Sequence, residues 1–210
     1  NQTISHNLGV KPSLIIAKER SWVSSWDDWV TYHKSLGNDF TIRMNLGEAK
    51  FSGYLSSPWA DTDPTSTEVS VSYEAGAWVN GNWDTFIAYL FAEKEWYSKI
   101  GSYIGNASAD GPFVYTGFKP AFILCKVTSG ATNDWTLLDS ARDTYNVAGK
   151  RLYPNTNGAE SETARADFLS NGFKLRGTGT DMNGSGNTYI YMAFAEHPLV
   201  SSNNVPATAR

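Results

Sequence analysis

The sequence is poor in the residues that carry redox and metal chemistry. Cys125 is the single cysteine among 210 residues, so no intrachain disulfide can form. It lies within the apolar run 121–125, which predicts a small buried side chain rather than a reactive thiol. The three histidines, His6, His33 and His197, are far apart and lack the spacing of metal ligands. We therefore expect no bound metal and no other cofactor.

Basic tracts and long apolar runs are missing as well. The formal net charge is −4, and no cluster of lysine or arginine offsets it, which argues against a nucleic-acid partner or an anionic membrane surface. No apolar run approaches the roughly 20 residues of a membrane-spanning helix, so membrane insertion is not expected. No segment keeps a helical period over about 11 residues or more, so the chain is not expected to contain a substantial helix.

No residue set in the sequence identifies a reaction. The Gly-x-Ser-x-Gly elbow of serine hydrolases does not occur. Two of the acids Asp27, Asp28, Asp139 and Glu160 could form a glycosidase pair, but sequence spacing does not reveal the separation that this mechanism needs. The segment 61–63 offers two aspartates to a calcium ion, but a solvated loop is the better interpretation. We therefore expect that the protein is not an enzyme, and that Asp139 pairs with a nearby arginine to hold a loop.

The sequence does contain an internal repeat rich in β-forming residues. The run 188–196 matches the earlier run 85–93 at a constant offset, and both are apolar on two alternating faces, which is typical of a strand covered on both sides. A Gly-x-Lys-Pro start precedes a strand in each half, at Gly9 and Gly117, and Trp29 corresponds to Trp135. The pattern predicts an all-β protein, a β-sandwich built from two tandem related halves with a shared core. The expected segments are a first repeat at 1–93, a connecting strand or linker at 94–111, a second repeat at 112–197 and a tail at 198–210.

Aromatic residues make up 14% of the chain, with eight tryptophans, and their positions suggest two roles. The matched pair Trp29 and Trp135 is expected to anchor the core. The other candidates are tentative contact residues for a neighbouring subunit or a ligand: Trp22, Trp26, Trp59, Trp78 and Trp83. The last three lie in polar loops that differ between the halves (56–63 and 75–84), as does a third loop at 177–186, and recognition is usually carried by such loops. The alternative is that these three rings cover the sheet ends, and that Trp22 and Trp26 pack in the core.

The second half carries a set of residues that is recognisable as a whole. The set comprises the segments 115–120, 171–173 and 189–195 with Lys126, Trp135, Asp139, Arg142, Leu152 and Asn155. Over residues 4–197 this pattern resembles a tandem module of unknown function found in tail-fibre and other virion proteins of tailed, often marine, bacteriophages. The resemblance implies an extracellular, virion-borne, non-enzymatic β-domain, and it brings no catalytic residues with it. The first half departs from the pattern, since Val10 replaces the aromatic after the glycine and nothing matches Arg142.

Two functions from different classes follow as expectations. In the first, the chain is a structural domain of a bacteriophage virion, in a tail fibre or as a capsid or head decoration. It would then assemble with copies of itself as a trimer or higher oligomer, contact other virion proteins and bind a host-surface glycan. In the second, it is a stand-alone carbohydrate-binding module of the lectin kind. An enzyme acting on polysaccharide is a distant third.

Overall fold

The chain forms two compact units in a computed structural model. The structure describes residues 1–21, 28–52, 57–72, 79–81, 83–130 and 132–197, and the predicted tail at 198–210 lies outside them. The first unit covers residues 1–92 and the second begins at Glu93. All regular structure in these ranges is β-strand, which confirms the predicted all-β sandwich. Within them no helix is long and apolar enough to cross a membrane.

The first unit packs a four-stranded sheet against a strand pair. Its strands are β1 (Gln2–Ser5), β2 (Leu14–Glu19), β3 (Val30–His33), β4 (Ile42–Arg43), β5 (Glu68–Val71) and β6 (Phe86–Phe91). The four-stranded sheet has the antiparallel order β4-β3-β2-β6, and β1 pairs with β5. The core between them contains Tyr32, which is 1% exposed and meets the ring of Trp59 edge-to-face at 5.6 Å, with Val69 and Val71 from β5.

The second unit is a sandwich of two four-stranded antiparallel sheets. Its strands are β7 (Ser98–Ile104), β8 (Phe113–Tyr115), β9 (Pro120–Val127), β10 (Thr136–Asp139), β11 (Ala148–Arg151), β12 (Ser161–Leu169), β13 (Gly172–Leu175) and β14 (Thr188–Ala195). One sheet has the order β10-β9-β14-β7 and the other β11-β12-β13-β8. The predicted hairpin around Asn171 is confirmed, because β12 and β13 pair across a two-residue turn there. The strand expected within 94–111 is present as β7, and it pairs with β14.

An aromatic stack fills the core of the second unit. Tyr103 and Tyr189 lie face to face with ring centroids 5.0 Å apart, and Phe173 and Tyr191 from the two sheets meet edge-to-face at 5.4 Å. The hydroxyl of Tyr103 donates to the carbonyl of Met182 at 2.7 Å, so its polar end is satisfied inside the core. Each unit therefore has an apolar core of its own among the described residues.

Three strands pair in the same order and register in both units. Ile15 on β2 pairs with Tyr32 on β3, and its sequence counterpart Ile123 on β9 pairs with Leu138 on β10. The strands β6 and β14 lie on the other side of β2 and β9, again with matching registers. This agrees with the strand order that the repeat predicts, whereas the duplication itself stays a prediction.

The two copies of the repeated apolar run differ in burial. β14 lies between β9 and β7, and residues 189–193 are buried, as expected of a strand covered on both sides. The same expectation is wrong for β6, where Ala88 and Tyr89 are exposed. The reason is topological, because β6 is the last strand of its sheet in the described residues and pairs with β2 alone. The paired tryptophans differ likewise: Trp135 is 2% exposed, whereas Trp29 is half-buried and stacks on Tyr89.

Candidate functional site

The predicted contact aromatics do not form one surface. Trp59 is 1% exposed and packs in the core of the first unit, so its placement on the surface is wrong. A backbone turn, with the N–H of Ala60 donating to Ser57 at 3.0 Å, directs this ring inward where the β1–β5 pair leaves space. Trp83 is 92% exposed, with its backbone in the left-handed region at φ 72°. The remaining candidates, Trp22, Trp26 and Trp78, lie outside the described residues.

The third predicted recognition loop, 177–186, is largely a structural element. Its centre at Asn183 is 1% exposed. The Asn183 side-chain carbonyl accepts the N–H of Asn106 at 2.9 Å, and its amide donates to the carbonyls of Ser108 and Gly177, each at 2.8 Å. The loop is therefore packed into its unit around a fully bonded asparagine, and its exposed residues are Thr178, Thr180, Ser185 and Gly186.

The described acids that were considered for catalysis are held by basic side chains. Asp28 pairs with Arg43 at 3.0 Å in the first unit, and Asp27 lies outside the described residues. In the second unit Arg142 lies between Asp139 at 2.6 Å and Glu160 at 2.9 Å, which confirms the predicted loop-holding pair. Burial raises the pKa of Asp139, but hydrogen bonds from Arg142 outweigh it and hold the pKa below its usual value.

The aspartates at 61–63 are likewise engaged. Asp63 pairs with Lys11 at 2.6 Å, and Asp61 accepts the N–H of Ser57 at 3.4 Å. Across the described ranges no group of three or more His, Cys, Asp or Glu side chains could hold a metal ion. These aspartates therefore act as structural partners.

A polar cleft lined by aromatic rings lies in the second unit. The turn that enters β7 meets the end of β8 there and encloses about 310 Å³. Its lining consists of Glu93, Glu95, Trp96, Ser98, Lys99, Tyr115, Thr116 and Gly117. The turn closes because the N–H groups of Tyr97 and Ser98 donate to the carbonyl of Lys94 at 3.0 and 2.9 Å. We name this cavity the Trp96 cleft.

Two rings flank a glycine in the Trp96 cleft. A Cβ at Gly117 would lie 3.6 Å from the hydroxyl of Tyr115 and 3.9 Å from Cζ3 of Trp96. Tyr115 is 60% exposed, and Trp96 is half-buried. Gly117 has φ 86°, a backbone conformation that side chains rarely adopt, so glycine here serves both the turn and the open space between the rings.

The backbone of the cleft is strained at its tryptophan. Trp96 has φ 63°, in the left-handed region where a bulky residue is a genuine outlier. Such conformations cost on the order of 1–3 kcal/mol and persist where the surrounding structure determines them, commonly at ligand sites. The strained turn places the Trp96 ring beside the cleft, which favours a functional role for it.

The charges of the cleft are only partly balanced. Glu93 pairs with Lys99 at 3.2 Å and also accepts the N–H of Ile100 at 3.1 Å, so it is part of the wall. Glu95 is exposed and makes no hydrogen bond or ion pair with the described part of the chain. The cleft thus offers two rings and one free carboxylate, a combination suited to an uncharged polyhydroxyl ligand.

Sequence reasoning missed this cleft. The pattern at 94–97 predicts one helical turn at most. Tyr115 enters the sequence analysis only as part of the matched segment 115–120, with no role of its own. The available signal was local: an acid beside two aromatics, Glu95 with Trp96 and Tyr97, in a short connection between two strands. What the sequence could not show is that this connection lies against the end of β8, because that contact is made across the fold.

The described residues define an all-β protein with two compact units. Residues 1–198 match the model of the family described as a domain of unknown function, DUF7483, and the chain belongs to that family. The match spans both units, so the family's domain comprises the pair. No curated protein and no solved structure matches the chain.

Proposed function

We propose that the chain is a non-enzymatic surface domain of a bacteriophage virion, in a tail fibre or capsid decoration, that binds an uncharged host-surface glycan in the Trp96 cleft. The observation that carries the binding part is the pairing of Trp96 and Tyr115 across Gly117 beside the free carboxylate of Glu95. The virion part rests on the resemblance of the second half to phage tail-fibre modules. No bond-breaking step is assigned to the domain.

The cleft has the features that sugar recognition needs. A sugar ring presents apolar C–H faces to aromatic rings, and the exposed face of Tyr115 with the half-buried Trp96 offers such contacts. Sugar hydroxyls donate hydrogen bonds, which the Glu95 carboxylate can accept. Lys99 is neutralised by Glu93, so the cleft has a surplus of negative charge and favours an uncharged glycan over an acidic one.

Assembly into a larger particle agrees with the large apolar side chains left in solvent. Trp83 is 92% exposed and Ile104 is 63% exposed, so both side chains are accessible for contacts with other subunits. We infer that some of these side chains contact other copies of the chain or other virion proteins.

Glycan-array binding with three variants tests the cleft. Tyr115→Ala removes the exposed ring and Glu95→Gln removes the free charge while keeping the shape. Each should weaken binding at least about fivefold, since a contact residue at such a site contributes about 1 kcal/mol or more. Tyr145→Ala is the matched control, an even more exposed tyrosine that does not line the cleft, and it should bind like the wild type.

Two outcomes would count against this assignment. Equal loss of binding in Tyr145→Ala would mean that the effect is not specific to the cleft. Unchanged binding in both cleft variants, with a glycan that the wild type does bind, would place the sugar site elsewhere.

The stand-alone lectin is the second candidate, and the same cleft favours it. The two differ in assembly and location. A stable trimer or higher oligomer in native mass measurements, together with detection of the protein in purified particles by mass spectrometry and labelled imaging, would support the virion. A monomer absent from particles but active on the array would support the lectin.

A further inference from the structure

The first unit contains a second cavity, with a different chemical character. It encloses about 240 Å³ between the β2–β6 face of the sheet and the β1–β5 pair. Its apolar walls are formed by Ile15, Val69, Val71, Phe86, Ala88 and Leu90. Ala88 is exposed although its neighbours on the same face of β6 are partly buried, so the cavity is open to solvent at this point. We name it the Trp59 cavity.

Two buried N–H donors in the walls lack acceptors in the part of the chain that the structure describes. The indole nitrogen of Trp59 and Nε2 of His6 are buried and have no hydrogen-bond partner among the described residues. Nδ1 of His6 accepts the N–H of Leu8 at 3.3 Å, so the neutral ring carries its proton on Nε2 and is a donor there. A buried donor without an acceptor costs about 1–3 kcal/mol, so one such group calls for an explanation and two in one cavity point to a missing acceptor.

We propose that the Trp59 cavity binds a small, uncharged, mostly apolar molecule that carries an acceptor oxygen. A cavity of about 150 Å³ holds benzene, so this one has room for an aromatic ring with a short substituent. The apolar walls supply the affinity and the N–H groups of Trp59 and His6 supply the specificity. This site is separate in chemistry from the glycan cleft and does not depend on the proposed function.

A pair of isosteric probes measures the role of the donors. Acetophenone has a benzene ring and a carbonyl oxygen, and α-methylstyrene has the same shape with a methylene group in place of the oxygen. Titration of the full chain, followed by ligand-observed saturation-transfer NMR, should show both compounds binding, with acetophenone tighter by roughly fivefold, the effect of one hydrogen bond.

Three variants locate the binding. Trp59→Phe keeps an aromatic ring but removes the donor, and it should weaken acetophenone alone by several-fold. Ala88→Phe fills the open end of the cavity and should abolish binding of both probes. Since Ala88 is exposed, this variant keeps its fold even if Trp59→Phe does not. Tyr89→Phe on the outer face of the same strand is the control and should bind both probes normally.

Each contrary result overturns one stated part of the proposal. If neither probe binds up to its solubility limit, water satisfies the two donors and the cavity is not a ligand site. If the two probes bind equally well, the donors do not recognise the ligand. If binding survives in Ala88→Phe, the probes bind elsewhere on the chain.

Discussion

The side-chain carbonyl of Asn155 accepts the backbone N–H of Trp135, the residue before β10, at 2.9 Å. The amide of the same side chain donates to Asp134 at 2.7 Å, so one side chain clamps two successive residues. The first unit repeats the arrangement, where Asn45 accepts the N–H of Trp29 at 2.8 Å and donates to Asp28 at 2.7 Å. The same clamp therefore fixes the start of the corresponding strand in both units.

Asn155→Ala should lower the free energy of unfolding by about 1–3 kcal/mol, because the N–H of Trp135 loses its acceptor in a partly buried place. Asn45→Ala should have a similar effect on the first unit. Chemical denaturation followed by tryptophan fluorescence measures both. Thr156→Ala is the neighbouring control, since this residue is exposed. An Asn155→Ala loss no larger than that of the control would show that the clamp contributes nothing to stability.

Truncation of the two loop tryptophans should change the free energy of unfolding by very different amounts. Trp59→Ala removes a ring that is 1% exposed and should cost about 3–5 kcal/mol, whereas Trp83→Ala removes a ring that is 92% exposed and should change stability by about 0.5 kcal/mol or less. Thermal and chemical unfolding give both values. Under the virion proposal, Trp83→Ala also reduces assembly or adsorption to cells at unchanged melting temperature. A strongly destabilised Trp83→Ala protein would remove the argument that this ring is a contact residue.

The thiol of Cys125 should not react while the second unit is folded. The side chain is fully buried, as the apolar run around it predicts, and burial raises its pKa from 9.0 to about 12. Incubation with a chromogenic disulfide reagent at pH 8 should therefore give no signal until denaturant is added, after which one thiol per chain reacts. Rapid stoichiometric labelling without denaturant would mean that the core around β9 opens readily.

Alkaline pH should lower the free energy of unfolding of the first unit, because Tyr32 ionises. Burial first, and then the charge of Asp63, raise the pKa of Tyr32 from 10.0 to about 12. In the unfolded chain the phenol ionises at lower pH, so its contribution is complete below about pH 10 and is lost as the pH rises towards 12. The loss reaches about 2–3 kcal/mol for a shift of this size. Tyr32→Phe should flatten the decline in unfolding free energy over this range, and identical pH profiles for variant and wild type would contradict the assignment.

Local patterns in the sequence were sufficient for most of the fold. The alternation in β14, the hairpin at Asn171 and the buried Trp135 follow from side-chain period and turn chemistry, which act over a few residues. The exposure of Tyr89 could not be predicted in this way, because β6 and β14 are both apolar on two alternating faces, whereas β6 has one pairing partner and β14 has two among the described strands. Strand neighbours are set by the whole chain.

The sites were harder to predict from the sequence than the fold was, for the same reason. Trp59 stands in a polar stretch with Pro58 and Asp61, which predicts a surface loop, yet the ring fills space that the two-stranded β1–β5 pair leaves uncovered. The Trp96 cleft depends on the contact between a turn and Gly117 about 20 residues later in the chain, a distance over which no sequence period operates. Burial by tertiary packing overrides what the neighbouring residues suggest.

The bonded side chain of Asn183 has a consequence for producing the protein. The segment 183–185 matches the acceptor signal for N-linked glycosylation, Asn-x-Ser. In the folded unit both donors and the acceptor of that side-chain amide are occupied, and no oligosaccharide could be attached to it. A eukaryotic secretory host would modify the chain before the loop closes, and the added sugar would then exclude Ser108 and Gly177 from their hydrogen bonds. Material made in such a host should fold poorly unless the signal is removed at Ser185, whose exposed side chain tolerates replacement by alanine.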